Sequence, residues 1–153
     1  MTITKRAING RPTNPVGLGC MSLSWAYGTP PSEDYAVQLL NRALDLGYDH
    51  LDTANIYGMG VSETVIGQWL ATRKPQVAIA TKASVVNETP RRIDNSEGHL
   101  RAELEISLRR LNRDHVELFY IHRREHARPI EEVVGTLKRF IDEGKIGGYG
   151  MSE

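Results

Sequence analysis

The 153-residue chain has a single cysteine, Cys20, so no disulfide can form within it. A lone thiol suits a reducing compartment, and the cytoplasm is the expected location. Net charge is missing too. Lys plus Arg and Asp plus Glu both number 19, which removes the footprint of a nucleic-acid binder or of a protein held on an anionic membrane. No apolar run approaches the roughly 20 residues of a membrane-spanning helix, and the opening Met1 to Arg6 has no apolar core of a secretion signal. A complete dinucleotide fingerprint is also lacking. Gly17-Leu18-Gly19-Cys20-Met21-Ser22 starts like one but has no third glycine, and Gly58-Met59-Gly60 fails likewise. Internal repeats and low-complexity segments are absent. The expected partner is therefore a small molecule, with neither nucleic acid nor membrane.

What is present is a rhythm. With 40% hydrophobic residues and 7 prolines, residues 1–153 read as one compact domain. From Pro15 onward short apolar runs alternate with amphipathic stretches. A first strand is expected over Val16 to Met21, followed by a helix capped at Ser32, with Glu33 and Asp34 in its positively polarised first turn. Val37, Leu40, Ala43 and Leu44 form its core face, and Gly47 ends it. The second strand leads into Asp52. A second helix is expected from Ser62 to about Arg73, burying Val65, Ile66, Trp69 and Leu70. The third strand ends at Lys82, and residues 85–95 read as a long excursion. Helix three starts near Ser96 and carries Leu100, Leu104, Ser107, Leu108 and Leu111 on one side. Strand four begins at Val116 and ends at His122. Pro129 suits a first helical position, opening a helix to about Glu143 with Val133, Val134, Leu137, Phe140 and Ile141 inward. A fifth strand is expected over Ile146 to Met151.

Five strands and four helices in alternation imply an α/β protein with parallel strands. Two architectures share that pattern. One is the (β/α)8 TIM-barrel type, of which this chain holds strands one to five and helices one to four, since the full barrel takes about 250 residues. The other is a five-stranded doubly wound sheet.

Three of the apolar runs close on an ionisable residue: His50-Leu51-Asp52, Val77 to Lys82, and Val116 to His122. In a barrel every strand's C-terminal end faces one rim, so Asp52, Lys82 and His122 are expected to meet there with Tyr57, five residues after Asp52. A tyrosine can donate a proton, a lysine ammonium beside it stabilises the phenolate left behind, and an aspartate keeps that lysine charged and oriented. His122 adds a neutral donor able to polarise a carbonyl oxygen. The four together suit protonation of an oxygen as negative charge develops on it, which reduction of an aldehyde or ketone by hydride requires. The hydride must come from a cofactor.

His122-Arg123-Arg124-Glu125-His126 also matches the H-x-x-E-H pattern of a zinc peptidase. That motif works on a helix, yet here its first histidine ends an apolar strand and Pro129 soon follows, so no metal site is expected. Arg123 and Arg124 read as solvated loop charges, with the approach of one to a cofactor phosphate as the alternative. Cys20 reads as a packed small residue, because nothing nearby in sequence would activate it.

Four segments, Leu51-Asp52-Thr53-Ala54-Asn55-Ile56-Tyr57-Gly58, Thr81-Lys82, Tyr120-Ile121-His122 and Gly144-Lys145-Ile146-Gly147-Gly148-Tyr149-Gly150-Met151-Ser152, resemble the aldo-keto reductases in order along nearly the whole chain. The resemblance implies a (β/α)8 barrel that uses NADPH, with NADH as the alternative. It makes Tyr57 the general acid, Lys82 and Asp52 its charge partners, and His122 the residue that orients the substrate carbonyl. It also places Gly19, Cys20, Met21, Asp52, Tyr57 and Ser152 near the cofactor, with Ser152 at the nicotinamide carboxamide, and Trp25, Tyr27 and His122 at the substrate. The family usually has asparagine where this chain has Glu153. Strands six to eight, which in the family supply the tyrosine stacked under the nicotinamide and the basic grip on the adenosine phosphate, are expected beyond it. A second expectation follows: a half-barrel that acts as a binding, regulatory or assembling fragment, completed by self-association or by a C-terminal half.

Overall fold

In the computed structural model, residues 4–152 are described. The chain opens with a short antiparallel hairpin, β1 (Arg6–Ile8) and β2 (Arg11–Thr13). Its turn is Asn9-Gly10, both at positive φ, +48° and +78°. Then come β3 (Leu18–Gly19), α1 (Glu33–Asp45), β4 (His50–Asp52), α2 (Val61–Arg73) and β5 (Ala78–Ala83). A second small hairpin, β6 (Val85–Val86) with β7 (Arg92–Ile93), leads to α3 (Glu97–Leu111), β8 (Leu118–Ile121), α4 (Ile130–Asp142) and β9 (Tyr149–Met151).

The sheet decides between the two architectures. Its order is β3-β4-β5-β8-β9 with every pairing parallel, so each strand lies beside the strand of this sheet that precedes it in the chain. A doubly wound sheet reverses its order at a switch point; this one never does. Right-handed crossovers then place successive helices on one face, and α1 packs on α2 and α2 on α3. The arrangement is five consecutive strands of a barrel wall with the helices outside.

Residues paired across parallel strands share a face, and so do positions two apart. The pairs Leu51↔Ile79 and Thr81↔Phe119 put one set against the helices. Leu51, Ile79, Phe119 and Ile121 are at most 1% exposed there, with Ile66, Trp69, Leu104, Leu137 and Phe140 from the helices. The pairs Asp52↔Ala80 and Lys82↔Tyr120 put the other set on the opposite, concave face. The polar residues thus share a face because the strand period keeps them off the helix side.

Local sequence sets the helix ends. Ser32 and Ser96 are extended and accept from the backbone N–H of Tyr35 and His99, each at 3.3 Å, capping α1 and α3. The second helix starts at Val61 rather than Ser62. Ser62 is instead buried, 2.9 Å from the Thr53 hydroxyl and donating to the Cys20 carbonyl at 3.0 Å, so Gly60 takes the cap position at φ +93°. Pro129 is likewise the cap of α4 and not its first residue. In that helix Val133, Thr136, Leu137 and Phe140 make the buried stripe, while Val134, one step round the helix, is only half-buried. The first strand shortens to Leu18–Gly19 because the chain winds into a 3-10 turn at Met21–Leu23. The last shortens to Tyr149–Met151, Ile146 making only an isolated bridge to Val116.

Candidate active site

Asp52 ends β4 and Lys82 lies near the end of β5, and their side chains form an ion pair. The ammonium also donates to the Thr53 carbonyl at 2.9 Å. Lys82 is 7% exposed, whereas the Asp52 carboxylate stays in part open to water. Tyr57 arrives from a turn spanning Tyr57–Gly60, in which Gly58, Met59 and Gly60 all have positive φ. A Cβ on Gly58 would sit 2.6 Å from Ser24 Cβ, so glycine is required there by both conformation and space. This turn brings the Tyr57 ring over Lys82, the Nζ 5.3 Å from its centroid.

His122 follows β8, its N–H donating to the Ala83 carbonyl at 2.9 Å. Its ring meets that of Tyr57 edge to face. Burial, reinforced by the Lys82 and Arg123 cations and only partly opposed by Asp52, pushes the imidazole down to about 4, so it is neutral at pH 7. Its Nδ1 is buried and has no hydrogen-bond partner among the described residues. The four residues expected on one rim are thus together, with one neutral ring and one paired ammonium beside the phenol.

Tyr57 and His122 line a cleft of about 560 Å³ whose walls also include Met21, Trp25, Ile56 and Ser152. Ser152 is held by its N–H to the Ile121 carbonyl at 2.9 Å. Glu153 lies outside the described residues. Gly19 pairs with Asp52 across the sheet, and the Cys20 N–H donates to the Asp52 carbonyl at 2.8 Å, so this pair steadies Asp52 through the backbone. Neither lines the cleft. The Cys20 thiol is fully buried, within hydrogen-bond reach of the Leu18 carbonyl at 3.5 Å, and pushed up to about 12, chiefly by burial. Trp25 lines the cleft, but Tyr27, two residues on, is 89% exposed and does not.

The segment from His122 to His126 is not helical, and Glu125 accepts from the Asn95 backbone N–H at 2.7 Å and from Arg128 at 2.9 Å. Among the described residues no three His, Cys, Asp or Glu side chains are grouped to hold a metal. No helix among them is long and apolar enough to cross a membrane. Sequence reasoning missed two arginines. Arg123 lines the cleft and donates to its neighbour's carbonyl, on His122, at 2.6 Å and to the Ser152 hydroxyl at 3.5 Å. Arg91, from the excursion between β6 and β7, lines it too. No spacing signal marked Arg91, because a hairpin of two-residue strands leaves no periodicity. Also unforeseen was the wholly buried Glu63 carboxylate, bonded by the Thr81 hydroxyl at 2.6 Å and by Arg110 at 3.2 Å. Burial raises its proton affinity above that of an ordinary carboxylate.

Residues 15–153 match the model of the aldo/keto reductase family. The chain belongs to that family. It is 35% identical over 159 residues to the aldo-keto reductase yakc, named with NADP(+), of Schizosaccharomyces pombe, covering 100% of this chain and 46% of the relative. Among solved structures it resembles the aldo-keto reductase AKR11C1 of Bacillus halodurans in its holo form. The TM-score is 0.86 with 31% identity, over 99% of this chain and 50% of that one. An aldo-keto reductase of Klebsiella pneumoniae in complex with NADPH aligns with a TM-score of 0.80 at 25% identity, over 100% of this chain and 50% of that one. The chain therefore spans about half the length of these aldo-keto reductases, and its five strands are part of their (β/α)8 barrel.

Proposed function

We propose that this chain carries the proton-donating side of a site for reversible NADPH-dependent reduction of aldehydes and ketones. The observation that carries this reading is the Lys82 ammonium, paired with Asp52 and lying 5.3 Å from the Tyr57 ring centroid, with neutral His122 across from it. NADPH, when bound, supplies the hydride. Met21 and Ser152 both line the cleft, the Ser152 hydroxyl is a hydrogen-bond partner suited to a carboxamide, and the NADPH complex of the Klebsiella pneumoniae relative supports that cofactor. Tyr57 donates its phenolic proton to the carbonyl oxygen. Lys82 stabilises the phenolate left behind, and Asp52 keeps Lys82 in place. His122, neutral, donates a hydrogen bond that draws the carbonyl toward Tyr57 and adds no charge that would compete with Lys82.

The test is consumption of NADPH, and in parallel of NADH, against a panel of aldehydes, ketones and sugars, with intact mass and solution size measured on the same sample. Tyr57→Phe should lower turnover by about 10²–10⁴ while NADPH binding persists. Turnover that survives the substitution refutes the role given to Tyr57. The half-length match to its relatives favours a second reading, in which this chain by itself binds without turning over. NADPH binding without consumption of any substrate would support that one.

A further inference from the structure

We infer that the site takes carbonyl compounds bearing an anionic group, a carboxylate or a phosphate ester, and that Arg91 is the residue that selects them. The inference rests on the reading of Tyr57 and His122 as the carbonyl end of the cleft. Among the described residues, the charged side chains lining that cleft are Arg91 and Arg123, with no carboxylate. Arg123 is already engaged by the His122 carbonyl and the Ser152 hydroxyl. Arg91 forms no ion pair among the described residues. Its neighbour shows the contrast: Arg92 points away and bonds Glu88 at 2.7 Å and Asp94 at 2.8 Å. The hairpin of β6 and β7 thus spends one arginine on holding itself together and turns the other toward the cleft.

Arg91 is also held. Its guanidinium carbon lies 5.8 Å from the centroid of the Trp25 ring, a cation–π contact that leaves its N–H donors without an ion pair among the described residues. Those donors match the two oxygens of a carboxylate or phosphate. The same arginine also lines a smaller adjoining pocket of about 90 Å³ with Trp25, Ile56, Met59 and Val85, so an apolar wall runs beside it. A ligand with a carbonyl at Tyr57 and His122, a flat or short apolar middle against Trp25, Ile56 and Val85, and an anion at Arg91 engages Tyr57, His122 and Arg91 together.

The test measures binding and turnover separately. By calorimetry without cofactor, 4-carboxybenzyl alcohol should bind the full chain roughly three- to tenfold more tightly than benzyl alcohol, a preference that shrinks as salt rises. In Arg91→Ala the ratio of the two affinities should fall to about one, and in Arg91→Lys it should be partly restored. Equal affinities in the unaltered chain, or a preference that survives Arg91→Ala, overturns the inference. So does a loss in Arg91→Ala of NADPH affinity with the ratio unchanged, which would give Arg91 to the cofactor. NADPH-dependent reduction of 4-carboxybenzaldehyde against benzaldehyde is then run on the same samples. No reduction of either aldehyde, with the binding ratio intact, would sink the proposed reaction and leave the anion site standing.

Discussion

The Tyr57 and His122 rings meet edge to face, their centroids 5.9 Å apart and their planes at 83°. That contact seals one side of the imidazole while Lys82 and Arg123 lie near enough to oppose any charge on it. A histidine kept neutral by its surroundings is a hydrogen-bond donor at physiological pH and a liability in acid.

The liability is measurable. An unfolded histidine protonates near pH 6.5, whereas His122 in the folded chain does so at about 4. Between those values the unfolded state holds the extra proton, so stability falls as pH falls, by about 3 kcal/mol in all, and is not reduced above pH 6.5. Denaturant unfolding of the chain and of His122→Gln at pH 7 and pH 4 isolates the effect from His50, which shifts in the same direction, and from the carboxylates. The stability difference between the two proteins should narrow or reverse in acid; a difference independent of pH would show that burial does not depress His122.

The ion pair of Lys82 and Asp52 is unequal, because Lys82 is buried and the Asp52 side chain is 36% exposed. Neutralising Asp52 leaves a buried ammonium with no charged partner, held by the Thr53 carbonyl and the Tyr57 ring; removing Lys82 leaves a carboxylate that water can reach. Asp52→Asn should therefore destabilise by about 1 to 3 kcal/mol, and Lys82→Met by less than 1. The double variant should recover most of what Asp52→Asn loses. Equal losses from the two single variants would contradict the asymmetry.

How far these relationships could be read beforehand depends on which residues carried periodicity. Four helices and the strands ending at Asp52, Lys82 and His122 were legible because each has a long apolar stripe or a run that stops abruptly at a charge. The barrel's sequential strand order was not, since helix-strand alternation is common to both architectures, and the pairing had to decide. The first hairpin was missed although Asn9-Gly10 is a strong turn signal, because Arg6-Ala7-Ile8 and Arg11-Pro12-Thr13 are too short to alternate. It caps the far end of the sheet, Asn9 bonding the Glu117 carbonyl and Arg11 the Glu117 carboxylate at 3.0 Å. Arg91 and Glu63 escaped for a related reason: a charged residue gives no sequence sign of whether it faces water, a cleft or the core.

Cys20 offers a simple check on the packing between β3 and β4. Fully buried and pushed up to about 12, its thiol is neither reachable nor ionised at pH 8. A thiol reagent should leave the native chain essentially unlabelled and label one site on unfolding. Rapid native labelling would mean that Cys20 opens to solvent at this edge.

The contact between α2 and α3 makes a prediction opposite in sign to helix propensity. Alanine is favoured over glycine by up to about 1 kcal/mol inside a helix, so glycine-to-alanine changes on helices ordinarily stabilise. At Gly135 of α4 that expectation holds, since an added Cβ would meet only the end of the Arg139 side chain at 3.8 Å, and Gly135→Ala should stabilise by about 0.5 kcal/mol. At Gly67 of α2 it fails. An added Cβ there would lie 1.9 Å from the Arg110 backbone carbonyl oxygen, and a backbone atom cannot swing aside as a side chain can. The helices must separate, and α3 carries with it the Arg110 guanidinium that partners the buried Glu63. Gly67→Ala should thus destabilise by about 2 kcal/mol or more despite the gain in propensity. Thermal or denaturant unfolding of the two variants side by side decides the matter: stabilisation at both positions would mean that α2 and α3 do not approach this closely.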